Sequence, residues 1–430
     1  MGKKTEQLKK REPYFLSHIF IYMKFSTDSG LFLCLLSFVV SILVYPLILR
    51  IARRFGIMDN PNARKLQRVP IPVMGGIVVY IGLMVSLLFW NVRINDTIIW
   101  VGLVSMTVML ILGAIDDATD IPASLRFIIE MMVVYWMILV SGVGIDCFHG
   151  LWGYYDIRLI VSLPLSIIAG VGIINAINLI DGVDGYASGF CIMSCTLFAI
   201  LFYYAGDTMM GNLSIICVGA IVPFFLHNVF GRTSKMFLGD SGTLMMGTVM
   251  TILVFSVLSN GGTCSKLESE GIGLVPFTLA VMSIPVFDTL RVMGVRMLRG
   301  GSPFHPDKTH LHHLFIEMGF SHIGTSICIL LIDFSIVAVW YLSWKLGASV
   351  DTQFWVVVLL SIIVTFGFYR FMKLQEMGGP VDEDGFHTGT VIWKFCCKMG
   401  EKSHVEDNLF WKMVRNIMDG RFSKSSRKKS

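Results

Sequence analysis

The stretch "IRLIVSLPLSIIAGVGIINAINLIDGVDGYASG", Ile157 to Gly189, changes character halfway along. Residues 157 to 175 are apolar and long enough to cross a bilayer core as a helix. From Asn175 onward the chain sets down two asparagines, two aspartates and two glycines before the next apolar run opens at residue 186. An apolar crossing that ends in a polar break is the unit from which the rest of the chain is built. Hydrophobic residues make up 54% of the 430 and charged residues 15%, and the mean hydropathy is +0.69. That balance excludes a water-soluble globular chain and predicts an all-α polytopic membrane protein.

Eleven spans are expected, near 31–49, 75–91, 98–114, 125–142, 157–175, 186–205, 212–230, 241–259, 272–291, 324–344 and 354–372. They define three regions: a basic, interfacial segment over 1–30, a multi-span domain over 31–372 and a cytoplasmic tail over 373–430. Cytoplasmic loops are enriched in Lys and Arg. The loops after the odd-numbered spans hold thirteen, among them Arg64, Lys65, Arg126, Lys235 and Arg296, against four (Arg93, Arg158, Lys266 and Lys345) in the alternate loops. This count puts the odd loops and the tail in the cytoplasm and the N-terminus outside. The basic run "GKKTEQLKKRE" argues the other way, and Tyr14 to Phe25 reads as an interfacial helix, too short for a crossing. In the tail, Leu409, Phe410, Met413, Val414, Ile417 and Met418 recur at helical spacing, as in a membrane-surface or docking helix. The nine cysteines form no CxxC pair, show no histidine at zinc-site spacing and read as small apolar residues. The basic chain end suits anionic lipid headgroups better than nucleic acid.

Polar residues in a membrane chain are costly and tend to be paired or functional. Here they gather in "RKLQRVPIPVMGG", "GAIDDATDIPA", "NAINLIDGVDGYASG", "KMFLGDSGT" and "PFHPDKTHLHHLF". The span count puts all five on the cytoplasmic side, with no comparable cluster on the other. Asp116 and Asp120 would share a helix face with Asp117 beside them, a crowding that calls for a divalent cation or a raised-pKa base; simple helix termination is the alternative. Asn175, Asn178, Asp181 and Asp184 recur every third residue and offer oxygen ligands for Mg²⁺ or hydrogen bonds to a sugar or base; a self-capped break between spans is the alternative. Asp240 and Ser241 open span 8, either as a cap or as a place where Mg²⁺ meets phosphate. His310, His312 and His313, beside Lys308 and Arg299, suit phosphate, with zinc as the other reading. Arg64 and Lys65 are phosphate clamps or topology-setting charge. Metal, phosphate and membrane together imply phosphoryl transfer between a nucleotide compound and a lipid.

These motifs, in order over about residues 31 to 372 and including "PVFDTLRV", resemble the polyprenyl-phosphate N-acetylhexosamine-1-phosphate transferase superfamily, glycosyltransferase family 4. Within it the chain looks like the bacterial undecaprenyl-phosphate GlcNAc-1-phosphate transferase branch. The resemblance implies a multi-pass protein of the bacterial inner membrane with its active site on the cytoplasmic face. It implies transfer of an N-acetylhexosamine 1-phosphate, most simply from UDP-GlcNAc, to undecaprenyl phosphate with release of UMP. Mg²⁺ is the expected cofactor, Mn²⁺ an alternative occupant, and a homodimer is compatible. Carried over by motif, Asp116 and Asp117 form the catalytic pair, and Asp240 with Asn178 or Asn175 holds the metal. Asp181 and Asp184 shape the nucleotide pocket, and His310, His312 and His313 bind phosphate or sugar. Gln67 stands where the family often has histidine. The "HLHH" run lacks the three-histidine run of the phospho-N-acetylmuramoyl-pentapeptide transferases, the alternative enzyme. An ion-coupled secondary transporter is the alternative outside enzymes; its broken, pseudo-symmetric helices around a midplane site are not apparent in the sequence.

Overall fold

The computed structural model describes residues 29–59, 69–90, 96–302, 309–377, 398–403 and 409–419. Arg64, Lys65, Gln67, Lys308, the N-terminal basic run and Tyr14 to Phe25 lie outside them. The described chain is almost wholly helical: α1 Gly30–Phe55, α2 Gly75–Phe89, α3 Thr97–Thr119, α4 Ala123–Ser141, α5 Leu159–Leu179, α6 Tyr186–Ala205, α7 Thr208–Phe230, α8 Gly239–Leu258, α9 Leu274–Val281, α10 Ser283–Leu298, α11 Leu311–Glu317, α12 His322–Lys345, α13 Val350–Ile362, α14 Phe368–Met377 and α15 Leu409–Met418. A π-helical turn, Ile363–Gly367, joins α13 to α14.

Among the described residues, nine helical spans are long and apolar enough to cross a membrane, or ten with a bent pair counted as one. Each of the eleven expected stretches has a helical counterpart, but two depart from a plain crossing. The second, α2, is only 15 residues long. The ninth is broken into α9 and α10, bent by 73°. Pro285, which has no N–H to donate, sits in the first turn of α10. Asp333 of α12 fixes the break, its Oδ1 accepting from Ser283 Oγ at 2.5 Å and from the Ile284 N–H at 3.1 Å.

The bundle is built around α8, 94% of whose most apolar window is buried, whereas the α13–α14 span is 17% buried and lies at the periphery. α8 packs on α3, α5 and α2, while α1, α6 and α7 form a second packed group joined to the first through α2. Without a hydrophobic force between helices in lipid, small residues let backbones close up. A Cβ at Gly113 of α3 would overlap the backbone of Asp240, and one at Gly76 of α2 would overlap Gly242. The first turn of α8 is therefore gripped between α2 and α3.

Candidate active site

Two devices fix the start of α8. The backbone of "PIPVMGG" pairs with the segment ahead of the helix: Phe237 N–H donates to Pro72 O at 2.8 Å, and the N–H groups of Gly75 and Gly76 donate to the carbonyls of Phe237 and Leu238 at 3.0 Å each. Asp117 then supplies the cap from a different helix. Its Oδ1 accepts from the Asp240 N–H at 2.9 Å and its Oδ2 from the Ser241 N–H at 3.2 Å, satisfying amides that a helix start leaves without partners. Gly239 makes this fit: its φ is +74°, and a Cβ there would stand 2.6 Å from Asp117 Oδ2. The sequence places Asp240 at the start of this helix, and it is there. The cap, however, comes from Asp117.

Asp116 and Asp117 are neighbours with different partners. Asp116 is buried, its Oδ1 accepting from the Ile121 N–H at 2.7 Å and its Oδ2 from Arg126 Nη1 at 3.0 Å. Asp120 does not join them. The helix stops at Thr119 and Asp120 turns to φ +52° as an exposed C-cap, so the expected Asp116–Asp120 face does not form.

The asparagines divide as well. Asn178 Nδ2 reaches Asp240 Oδ1 at 2.5 Å and Thr243 Oγ1 at 2.8 Å, so it stands at the head of α8. Asn175, one turn back, donates to Glu130 and to the Val171 carbonyl. Asp181 receives the Gly239 N–H, and although its surface opens to a cavity it is packed deep among protein atoms. That desolvation first, then the Asp240, Asp117 and Asp184 carboxylates, pushes it up to about 8. Asp184 pairs with Lys235 Nζ at 2.5 Å.

The histidine loop is held from below by α10. Asp288 accepts from His310 Nδ1 and the Leu311 N–H, each at 3.0 Å, and pairs with Arg291 Nη2 at 2.7 Å. Arg291, fully buried, also donates to the Thr309 carbonyl at 2.5 Å and lies over the Tyr369 ring. His310 and His312 stack at 5.8 Å, and His313 stands 4.3 Å from His312. Burial first, then His313 and His310, lowers His312 well below the usual imidazole range. A Cβ at Gly182 would overlap His312, so the histidine loop and the Asn175–Gly189 stretch fit only with glycine there. Between them is a cavity of 210 Å³ lined by Asn178, Leu179, Asp181, Gly182, Arg296 and the three histidines. Nε2 of His310 is buried beside it with no hydrogen-bond partner.

Four of the five sequence clusters thus meet at one end of the bundle, and the fifth contributes backbone pairing through its described part. Several residues of this end carried no functional assignment in the sequence. Glu130, a fully buried carboxylate in α4, had an available signal, since an acid inside a span is a functional candidate by default. Asp288 sat in a quoted motif without a role. Arg126 and Lys235 read from the sequence only as topology-setting charge, yet the structure gives them, like Arg291, a carboxylate partner. The expectation of no polar cluster at the other end is corrected. There Asn260 bonds Asp146 and Asp156, and His149 bonds Glu268. These residues lie more than 100 positions apart in sequence, and only folding collects them.

Fold and site together define a multi-pass, all-α membrane protein whose chemistry-bearing groups converge at one end of the bundle. Residues 99–258, from α3 through α8, match the family described as glycosyl transferase family 4. It is 29% identical over 344 residues to the probable undecaprenyl-phosphate N-acetylglucosaminyl 1-phosphate transferase of Bacillus subtilis (strain 168), covering 78% of this chain and 92% of that protein. It is also 29% identical to the undecaprenyl-phosphate alpha-N-acetylglucosaminyl 1-phosphate transferases of Yersinia pestis, over 63% of this chain and 73% of the relative, and of Escherichia coli (strain K12), over 63% and 72%. These likenesses support the superfamily and branch indicated by the motifs and, with the apolar helices, support a membrane transferase.

Proposed function

We propose that the protein transfers GlcNAc 1-phosphate from UDP-GlcNAc to undecaprenyl phosphate, giving undecaprenyl-diphospho-GlcNAc and UMP. The reaction takes place at the cytoplasmic face of the bacterial inner membrane, where the basic loops lie on the site's side of the bundle. The observation that carries this reading is the convergence of Asp117, Asn178, Asp181 and Asp240 on the head of α8, beside the histidine-lined cavity. The names of the relatives support the lipid and the sugar, in preference to the muramoyl-pentapeptide alternative.

The donor set at the head of α8 fits Mg²⁺. It consists of hard oxygens from Asp240, Asn178 and Asp181, with no sulfur, and burial first and then the Asp240, Asp117 and Asp184 carboxylates push Asp181 up, a charge excess that a dication would offset. A bound Mg²⁺ would neutralise charge on the diphosphate and polarise the bond to the leaving group. The chain's own residues do the positioning. The basic side chain of Arg296 lines the cavity that would take the anionic donor, and His310, whose Nδ1 donates to Asp288, leaves its unpartnered Nε2 to accept from a sugar hydroxyl. An oxygen of the lipid phosphate attacks the sugar-side phosphorus, the phosphorus–oxygen bond to UMP breaks, and UMP leaves with the electron pair. Asp117, with both oxygens accepting helix amides, orients the head of α8 and is poorly placed to form a covalent intermediate. Asp116 positions Arg126. The test is release of UMP from UDP-GlcNAc by purified protein with undecaprenyl phosphate and Mg²⁺. No release, or equal release from Asp240→Asn, overturns the reading, and a phosphorylated enzyme trapped with UDP-GlcNAc alone overturns direct displacement.

A further inference from the structure

At the end of the bundle away from the transferase site, Cys147 and His149, in the loop between α4 and α5, meet Glu268 of the 3₁₀ segment Thr263–Glu270 that follows α8. One ligand-type atom from each lies within 4.8 Å of the other two. Cys147 and His149 are buried, 3% and 1% exposed. His149 Nδ1 stands 2.6 Å from Glu268 Oε1, and the His149 N–H points at Cys147 Sγ at 3.3 Å. His149 Nε2 is buried with no hydrogen-bond partner. A plain His–Glu hydrogen bond would account for the first contact. It accounts neither for a thiol at the same place nor for the second ring nitrogen, which is shut away from water with nothing to bond.

We propose that Cys147, His149 and Glu268 form a binding site for a transition-metal dication of the zinc type. Thiolate, imidazole and carboxylate are the three ligand kinds zinc takes, at about 2.0–2.3 Å, and three protein ligands leave one tetrahedral position for solvent. The set is softer than the all-oxygen set at the head of α8, so the two sites select different ions. The charge balances: a dication, one thiolate and one carboxylate sum to zero, which suits a buried position. Burial pushes the Cys147 thiol up, and Glu268, Asp156 and Asp146 add to the rise. Those carboxylates also make a field that favours a cation. Binding releases the Cys147 proton and joins the α4–α5 loop to the segment after α8, a link between strands of sequence about 120 residues apart.

The site is read by titrating Co²⁺ into purified full-length protein in detergent. Coordination by Cys147 gives a thiolate-to-cobalt charge-transfer band in the near ultraviolet, saturating at one equivalent and abolished by excess Zn²⁺. The band disappears in Cys147→Ser and weakens in His149→Gln, but persists in His312→Asn, since the histidines of the cavity have no thiol beside them. Zn²⁺ also raises the Tm of the native protein and leaves that of Cys147→Ser unchanged, a comparison that requires the variant to be folded at the start. No band in the native protein, or an undiminished band in Cys147→Ser, overturns the proposal.

Discussion

Acidic and amide side chains gather at both ends of the helix bundle and are used there in different ways. At the end away from the head of α8 they tie loops to their neighbours: the Asn260 N–H to Asp146 at 2.6 Å, Asn260 Nδ2 to Asp156 at 2.7 Å, Asp351 to the Trp152 N–H at 2.7 Å, and Glu270 to Tyr204 Oη at 2.5 Å. At the head of α8 they crowd around a cavity instead, with Asp181 pushed up to about 8, first by desolvation and then by three other carboxylates. Mutual repulsion kept beside an open space is unfavourable in the empty protein and is relieved by a cation and its anionic ligand. Carboxylates crowded at the head of α8, rather than polarity as such, separate the reacting end from the stapled one.

The largest expected effect tests this contrast directly. Asp240→Asn and Asp117→Asn should each lower the rate of UMP release on the order of 10²- to 10³-fold. Asp156→Asn at the stapled end should leave the rate within about twofold and lower the Tm instead. A variant at the stapled end with a rate loss comparable to that of Asp240→Asn would erase the distinction.

A smaller effect concerns how the reacting end is gripped. Gly113→Ala pushes a methyl group into the Asp240 backbone, and overpacking of this kind costs roughly 1–3 kcal/mol. Because the displaced atoms belong to the site, activity should fall along with the Tm. Gly172→Ala on α5 meets nothing within 4 Å and should be neutral or stabilising by about 0.5–1 kcal/mol from helix propensity. Equal activities in the two variants would show that the head of α8 is not held rigidly.

Smaller again is the contribution of the tail. Asp419, just beyond α15, accepts from the N–H groups of Arg232, Thr233 and Ser234 and from Ser234 Oγ at 3.0–3.1 Å, while Trp411 stacks on Phe230 at 4.4 Å. The clamped loop leads to Lys235, the partner of Asp184. Among the readings open from sequence, a docking helix is what the geometry of the tail displays. Asp419→Ala should raise the KM for the UDP-sugar about two- to fivefold, a modest effect because these bonds are partly solvated. An unchanged KM would make the tail a mere attachment.

Much of this was legible in the sequence, for reasons that differ by scale. A helix that must satisfy its own backbone in lipid announces itself as an apolar run, so every expected span found a helix. Asp116, Asp117, Asn178, Asp240 and the histidines were legible because polar groups stand out in such a chain. What was hidden depends on partners distant in sequence. Nothing near Asp117 says that it will cap a helix 123 residues later, or that Asn175 will turn to Glu130 while Asn178 turns to Asp240. The break at Pro285 had a local signal, yet its fixing by Asp333, 50 residues on, did not. Likewise Cys147 and His149 make no recognisable motif until Glu268 folds beside them.

The smallest effect is one of pH, and its sign follows from His312. Its folded-state pKa lies well below the ordinary 6.5 because burial and two neighbouring imidazoles oppose the charge. Below pH 6.5 the unfolded chain therefore takes up a proton that the folded chain refuses, and stability falls as the pH drops through that window, by at most about 1.4 kcal/mol per pH unit from this one group. Above pH 6.5 both states are neutral there and the contribution is flat. Replacing His312 with Gln removes the group from the balance. Between pH 7.5 and 5.5 the Tm of the native protein should fall more steeply than that of His312→Gln. Parallel profiles for the native protein and His312→Gln would mean that the cavity admits the charged imidazole, and that the reacting end is less crowded than its geometry indicates.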